Sequence, residues 1–135
     1  MTKATTTIAP VPFASLPAVG TPLADGTFAG IHSQPDGTHV AVVLLSAWSE
    51  GLTWKKALTW AKKQDGQLPT RPVAALLFAN LKAQLQPRWH WSCEPRDDDD
   101  ASYAWHCYFG DGFQDYYLKS CVGCAVAVRL IPLTA

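Results

Sequence analysis

The stretch that decides the fold runs from residue 53 to residue 71 and reads TWKKALTWAKKQDGQLPTR. Thr53 suits the N-cap of a helix, because its side-chain oxygen can accept a hydrogen bond from a free backbone N–H of the first turn. The apolar residues that recur at helical spacing after it are Trp54, Ala57, Leu58 and Ala61. The sequence therefore predicts an amphipathic helix that begins at Trp54 and ends near Gly66.

The opposite face of this predicted helix carries four lysines, which are Lys55, Lys56, Lys62 and Lys63. Charged residues opposite an apolar stripe are typical of a helix face exposed to solvent, and we favour this interpretation. A phosphate-binding patch is the alternative.

A second helix is predicted to follow at once. Thr70 is its expected N-cap, and Pro72 stands in the first turn, where a missing backbone N–H costs nothing. Its apolar residues point in several directions, so we expect it to be buried on more than one side. Pro87 is expected to stop it.

Strands are predicted on both sides of the helices. Residues 27–31 and 38–45 read as two strands joined by a turn that contains Asp36-Gly37, a pair that favours tight hairpins. The second of these strands is apolar on both faces and is therefore expected to be central. Residues 103–109 and 113–118 read as a C-terminal hairpin. This order of elements predicts an α+β fold.

Composition limits what the protein can be. The 135 residues carry a formal net charge of zero, which argues against nucleic acid or an anionic membrane as the main partner. The longest apolar run, 40–45, is strand-sized, so we expect no membrane insertion, and prolines interrupt any secretory signal.

Two regions of different composition are expected. Residues 1–22 are rich in Pro, Thr and Ala and predict an extended N-terminal arm, whereas residues 23–135 form the folded domain. The arm also contains apolar residues, so we expect it to pack on its own domain or, as the favoured alternative, on a neighbouring subunit.

Short motifs in a fixed order continue outward from the opening stretch. They are Trp54, Leu68-Pro69-Thr70-Arg71, Trp89-His90-Trp91-Ser92-Cys93-Glu94, Ala104-Trp105, Phe109-Gly110, Lys119 and Val126-Ala127-Val128-Arg129-Leu130. Their order and spacing resemble the bacterial and phage C-type-lectin-like domains of the type found at the C-terminus of the Legionella collagen-like adhesin. The pattern is similar also to the variable proteins that retroelements diversify.

The resemblance implies a C-type-lectin-like fold, in which two helices flank a small, twisted antiparallel sheet and the N- and C-terminal strands pair. It also implies that the hairpin and loops after the Trp-Ser motif form an exposed binding face. Such a domain is a display surface, so we expect no enzymatic activity and no cofactor.

The C-terminal hairpin supplies the candidate ligand-binding residues, which are His106, Tyr108, Asp115, Tyr116 and Tyr117. A three-residue loop would pair His106 with Tyr116, and a two-residue loop would pair it with Tyr117. Since a shift of one residue exchanges the faces of a strand, the sequence leaves both registers open. Trp105 and Phe109 are assigned to the core. Packing of the aromatic residues under a loop or at a subunit interface is the alternative to ligand binding.

Metal sites and catalysis are weaker hypotheses. Cys121 and Cys124 form one CxxC motif, for which zinc would need two further ligands from Cys93, Cys107, His90 and His106, so free thiols are the favoured interpretation. The run 97–100 consists of four aspartates, which allows a calcium loop but more often is simply solvated. No phosphate loop or nucleophile elbow is present in the sequence.

These patterns and the resemblance predict a non-enzymatic phage or prophage protein on the virion surface, made in the bacterial cytoplasm. Its arm would contact other virion proteins, and its hairpin would bind a host surface protein or glycan. A homo-oligomer is expected, and the analogy suggests a trimer. The alternatives are a capsid or baseplate cement protein, whose hairpin is a subunit contact, and a metal-dependent lectin.

Overall fold

The computed structural model describes residues 9–96 and 101–135, which form two α-helices and an eight-stranded mixed sheet. The strands are β1 (Val11–Pro12), β2 (Pro22–Leu23), β3 (Gly26–Ser33), β4 (His39–Leu52), β5 (Trp89–Pro95), β6 (Tyr103–Tyr108), β7 (Gln114–Leu118) and β8 (Gly123–Thr134). The helices are α1 (Trp54–Lys63) and α2 (Arg71–Leu81). The predicted mixture of helices and strands is confirmed.

The sheet is larger than predicted and is not purely antiparallel. Its strand order is β2-β3-β4-β8-β5-β6-β7, with β1 added beside β8. The long strand β8 pairs with β4 along one edge, so its other edge accepts β5 at Cys124 and β1 at Leu133, both in parallel orientation. The expectation of a small antiparallel sheet was therefore wrong, because a single 12-residue strand has room for two partners on its free edge.

The two helices pack on opposite faces of the sheet. Neighbouring residues of β4 alternate between two apolar clusters, with Val43 in the cluster that contains Ala57 of α1 and Val42 in the cluster that contains Val73 of α2. The predicted central strand is confirmed, because β4 lies between β3 and β8 and is buried from Val40 to Leu45.

Both helices begin where the sequence predicted. The Thr53 hydroxyl accepts a hydrogen bond from the Lys56 N–H at 3.4 Å, and the Thr70 hydroxyl accepts one from the Val73 N–H at 3.3 Å. Helix α2 ends at Leu81 and continues into a 3-10 turn before Pro87. Neither helix in the described part of the chain is long enough and apolar enough to cross a membrane.

The described part of the N-terminal arm lies on its own domain. Val11 pairs with Leu133 of β8, and the Phe28 N–H of β3 donates a hydrogen bond to the Thr21 carbonyl at 2.9 Å. Phe13 and Val19 nevertheless keep large apolar surfaces in contact with solvent. The arm thus extends the sheet and still exposes apolar side chains of its own.

Candidate functional site: the C-terminal hairpin

The motif residues at the start of α1 connect this helix to the C-terminal strands. The Trp54 indole N–H donates a hydrogen bond to the Ser92 carbonyl at 2.9 Å, and the Trp54 backbone N–H donates one to the Lys119 carbonyl at 3.1 Å. The Lys119 ammonium lies 4.6 Å from the centre of the Trp54 ring. The Ser92 hydroxyl in turn donates to the Trp105 carbonyl at 2.8 Å. These residues therefore position the hairpin relative to the helix.

Arg71 likewise connects the start of α2 to the C-terminal strands. Its backbone N–H donates to the Glu94 carboxylate at 2.6 Å, and its Nε donates to the Gln114 side-chain oxygen at 3.0 Å. The guanidinium carbon lies 3.5 Å from the centre of the Trp105 ring. Trp105 is consequently half-buried under Arg71, so its assignment to the core was wrong, whereas Phe109 is buried as expected. The negative face of the indole attracts the charged guanidinium.

The hairpin adopts neither of the two predicted registers. His106 pairs with Asp115, and the Tyr108 N–H donates to the Phe113 carbonyl at 2.8 Å, which leaves a four-residue loop at 109–112. Both the two-residue and the three-residue loop were therefore wrong.

The loop is longer because its backbone forms a wider turn. The Gly112 N–H donates to the Tyr108 carbonyl at 2.7 Å, and the Asp111 carboxylate accepts from the Phe113 N–H at 2.9 Å. Gly112 has a φ of +84°, and a Cβ atom there would lie 2.7 Å from the Phe78 ring. This position therefore requires glycine both for its backbone conformation and for the approach of α2.

The observed register divides the predicted site residues between the two faces of the hairpin. One face holds His106, Tyr108, Asp115 and Tyr117. Tyr116 pairs with Trp105 and therefore lies on the other face. The sequence had left open whether Tyr116 or Tyr117 shares the face of His106, and the observed register places Tyr117 there, because side chains alternate along a strand.

Five rings on one side of the hairpin form what we call the aromatic face: Trp89, His106, Tyr108, Phe113 and Tyr117. The His106 imidazole lies between two of them, with ring centres 3.9 Å from Trp89 and 5.6 Å from Tyr117 and with nearly parallel planes. Trp89 also contacts Tyr108 and Phe113, at 5.3 and 6.3 Å. The exposed fractions are 58% for Phe113, 52% for Tyr117 and 36% for Trp89.

The aromatic face is held uncharged near neutral pH. Burial among the rings lowers the pKa of His106 to about 4, and the Asp115 carboxylate opposes this shift only in part. The Asp115 carboxylate also accepts a hydrogen bond from the Tyr116 backbone N–H at 2.8 Å. Asp115 therefore borders the aromatic face and blocks one backbone donor of β7.

The other side of the hairpin, which we call the cation–π face, consists of Arg71, Arg96, Tyr103, Trp105 and Tyr116. The Arg96 guanidinium lies 3.8 Å from the centre of the Tyr116 ring, and Trp105 meets Tyr116 edge to face at 5.4 Å. Its aromatic rings thus already have charged or edge-on partners from within the chain.

Sequence reasoning missed two members of the aromatic face, Trp89 and Phe113. The spacing of Trp89 and Trp91 indicates that these two tryptophans share one face of β5, which was a usable signal. The pairing of β5 with β6, which brings Trp89 to His106, carried no comparable local signal.

His90, Cys107 and Cys124 lie on the face of the sheet opposite the aromatic face. His90 of β5 pairs with Cys107 on one side and with Cys124 on the other. Its Nδ1 is 2.8 Å from the Arg88 carbonyl oxygen, and its buried Nε2 has no hydrogen-bond partner. Burial lowers the pKa of His90 to about 4 and raises the pKa of Cys107 to about 11.

These residues do not assemble into a metal centre within the described part of the chain. Cys93, Cys107, Cys121 and Cys124 are free thiols there. Among the described residues, no group of three His, Cys, Asp or Glu side chains could hold a metal ion. The calcium hypothesis concerns 97–100, which lie outside the described residues.

No protein-family model matches the chain, and no curated protein matches it. The resemblance to C-type-lectin-like domains therefore rests on the motifs and their order. What the structure itself establishes is two helices and a large mixed sheet that present a hairpin with two chemically different faces.

Proposed function

We propose that this chain is a non-enzymatic recognition domain with a C-type-lectin-like fold, displayed on the surface of a phage or prophage virion. Its ligand is a host surface glycan or protein, bound without covalent chemistry. The single observation that carries the proposal is the aromatic face, in which five neighbouring rings lie on one side of a paired hairpin and three of them keep large exposed surfaces.

The chemistry of this face suits recognition. Aromatic side chains provide large contact areas at a small entropic cost, because only two torsions must be fixed on binding. Here Trp89 and Tyr117 are further restrained by stacking on His106. An uncharged His106 lets the face accept the apolar side of a sugar ring or a protein side chain without desolvating an imidazolium.

The N-terminal arm is the proposed contact with other virion proteins. Its described residues pair with β8 and β3, yet Phe13 and Val19 expose 40% and 47% of their surface. Apolar side chains on an extended segment at the sheet edge can add contacts to a neighbouring subunit of a homo-oligomer. On this proposal the arm attaches the domain and the hairpin faces outward.

A cement protein is the second candidate, and one observation favours it. Apolar exposure at the hairpin is not confined to the aromatic face, because Leu118, which pairs with Tyr103 on the cation–π face, and Val122 expose 40% and 67% of their surface. Apolar side chains exposed on both faces of a hairpin are typical of a segment that is covered by a neighbouring subunit. In that case Tyr117 would be covered by a neighbouring virion subunit and not by a host ligand.

The two adjacent tyrosines provide a matched test of the proposal. Purified wild-type protein is compared with Tyr117→Ala and Tyr116→Ala in binding to a glycan array and to a panel of intact bacterial cells. Tyr117→Ala, together with Phe113→Ala, is expected to weaken binding at least about tenfold. Tyr116→Ala should keep wild-type binding once thermal unfolding shows that it is folded, because its ring lies on the other face.

Equal losses in both tyrosine variants, or a loss in Tyr116→Ala alone, would contradict an aromatic binding face. A cryo-electron-microscopy map of the native particle separates the two candidates. Tyr117 and Phe113 facing solvent support a receptor-binding protein, and their burial against another subunit supports a cement protein.

A further inference from the structure

The outer strand of the hairpin carries a carboxylate between its two most exposed aromatic rings. Asp115 lies on β7 at the end of the sheet, and Phe113 and Tyr117 stand two residues before and two residues after it. Since residues i and i+2 of a strand share one face, each ring is attached roughly 7 Å along the strand from Asp115. Phe113 and Tyr117 are 58% and 52% exposed, whereas Asp115 is half-buried. An acidic group therefore borders the most accessible part of the aromatic face.

Asp115 forms no ion pair within the described part of the chain. The ion pairs there are made by Arg88 and Arg129 with other carboxylates. One oxygen of Asp115 accepts a hydrogen bond from the Tyr116 backbone N–H at 2.8 Å, and this neutral donor leaves the negative charge uncompensated. A half-buried carboxylate in this position favours a positively charged ligand, because an opposite charge offsets the cost of its partial desolvation.

The two basic side chains nearest to Asp115 on this face do not supply the missing charge. His106 pairs with Asp115 across the hairpin, but burial lowers the pKa of His106 to about 4, so the imidazole is uncharged near neutral pH. Lys119 follows at the end of β7, and its ammonium group lies 4.6 Å from the centre of the Trp54 ring. The aromatic face therefore neither repels a cation through His106 nor already holds the ammonium group of Lys119.

The other face of the same hairpin shows which cation suits rings in this setting. The guanidinium carbon of Arg71 lies 3.5 Å from the centre of the Trp105 ring, and that of Arg96 lies 3.8 Å from the centre of the Tyr116 ring. A guanidinium is planar, so it can stack on a ring and donate paired hydrogen bonds to a carboxylate at the same time. An ammonium group is a compact point charge and cannot match both features.

We propose that the aromatic face binds an arginine side chain of a partner protein, with the guanidinium hydrogen-bonded to Asp115 and held between the exposed rings of Phe113 and Tyr117. The inference rests on the proposed function of the hairpin and names the chemical group that this function recognises. Arginine, tyrosine and tryptophan contribute most of the binding energy in protein interfaces. A protein partner is favoured over a neutral glycan, because a neutral sugar would leave the charge of Asp115 unpaired.

Small probes test the recognised group directly. NMR titration of the isotope-labelled protein with N-acetyl-arginine amide follows the indole N–H of Trp89 and the backbone N–H of Tyr117, and saturable shifts of both signals are expected. N-acetyl-citrulline amide has nearly the same shape without the charge and should bind at least about tenfold more weakly. Equal binding of the citrulline probe, or no shift of these signals by the arginine probe, would overturn the proposal.

Two further cations distinguish arginine from other positively charged groups. N-acetyl-lysine amide should bind more weakly than the arginine probe, because its ammonium group cannot stack on a ring and form paired hydrogen bonds at once. Choline carries a quaternary ammonium group, which aromatic rings attract without any hydrogen bond to a carboxylate. Binding of lysine amide or choline as tight as that of the arginine probe would overturn the assignment to arginine.

Two aspartates of the hairpin provide a matched pair of variants. Asp115→Asn removes the charge but keeps an oxygen that can accept the Tyr116 N–H, and Asp111→Asn likewise keeps an acceptor for the Phe113 N–H. Asp115→Asn is expected to weaken binding of the arginine probe about tenfold. Asp111→Asn removes an exposed charge in the loop and should weaken it by less than about twofold. Equal losses in the two variants, or unchanged binding in Asp115→Asn, would overturn the site.

Binding to intact bacterial cells separates this inference from the proposed function. Loss of cell binding in both Tyr117→Ala and Asp115→Asn would support the two together. Loss in Tyr117→Ala with wild-type binding in Asp115→Asn would leave the recognition face in place and overturn the arginine proposal. If the wild-type protein bound no cell, the proposed function would fail, whereas the arginine site would still be decided by the probe titrations.

Discussion

The two faces of the C-terminal hairpin are built from alternating residues of the same strands, yet their aromatic rings have different partners. On the aromatic face, Trp89, His106 and Tyr117 stack on one another around an uncharged imidazole. On the cation–π face, Trp105 lies under the Arg71 guanidinium and Tyr116 lies under that of Arg96. Two neighbouring tyrosines, 116 and 117, therefore belong to different environments.

The difference shows how one hairpin can serve stability and recognition at once. Arg71 also holds Gln114 and Glu94 through hydrogen bonds, so the cation–π face joins α2 to the hairpin. The aromatic face instead leaves Phe113 and Tyr117 more than half exposed. We infer that the cation–π face mainly holds the hairpin in place and that the aromatic face is the one available to a ligand.

Replacement of Trp91, which lies beneath the aromatic face, should have the largest effect on the free energy of unfolding. Trp91 is buried, donates to the Leu52 carbonyl and contacts His106. Trp91→Ala should lower the free energy of unfolding by about 3–5 kcal/mol, because it leaves a large cavity and an unpaired carbonyl. Urea denaturation measures this change. A loss below about 1 kcal/mol would show that the aromatic face does not depend on the core beneath it.

The cation–π face is tested next by Arg71→Ala. The variant loses the hydrogen bond to Gln114 and the stacking on Trp105, so the free energy of unfolding should fall by about 2 kcal/mol in urea denaturation. Arg71→Lys is the matched control, since it keeps the charge but cannot reproduce the flat, forked guanidinium. Full stability in Arg71→Lys would mean that charge alone holds this face.

Low pH should reduce the stability of the folded protein through protonation of His106 in the aromatic face. Its pKa is about 4 in the folded protein and 6.5 ordinarily, so the unfolded chain binds the proton more readily between these values. The contribution of uncharged His106 to the free energy of unfolding is therefore fully present above about pH 6.5, and it is lost as the pH is lowered toward 4. His106→Phe keeps a stacked ring without a titrating group, and its unfolding free energy should depend less on pH across this window.

The comparison of His106→Phe with the wild type isolates this histidine. His90, whose pKa is also about 4, and the carboxylates titrate in both proteins, so their contributions cancel in the difference. Chemical denaturation at several pH values between 4 and 7 provides the curves. If the free energies of unfolding of the two proteins changed in parallel with pH, a lowered pKa of His106 in the folded protein would be ruled out.

The smallest effect on stability is expected for Tyr117→Ala. Because 52% of this side chain is exposed, its removal should change the free energy of unfolding by no more than about 0.5 kcal/mol. Tyr116→Ala should cost more, since it removes contacts with Arg96, Trp105 and Tyr103. Thermal unfolding of the two variants ranks them, and the reverse order would show that the assignment of the two faces is mistaken.

Local sequence signals predicted the elements well. Thr53 and Thr70 cap the two helices as expected, and the doubly apolar strand around 40–45 is central. Such features depend on residues near one another in the chain, and their physical causes are therefore visible in the sequence. The candidate site was predicted only in part, because the sequence left the hairpin register open and Trp105 was placed in the core.

The sequence by itself determined the two capped helices, the buried strands and the concentration of aromatic residues in the hairpin, since capping and side-chain alternation are local properties. Only the tertiary structure decided the 109–112 loop, which of Tyr116 and Tyr117 shares the face of His106, and the arrival of Trp89 beside His106. These depend on strand register and on the pairing of β5 with β6, where a shift of one residue exchanges every side chain between faces.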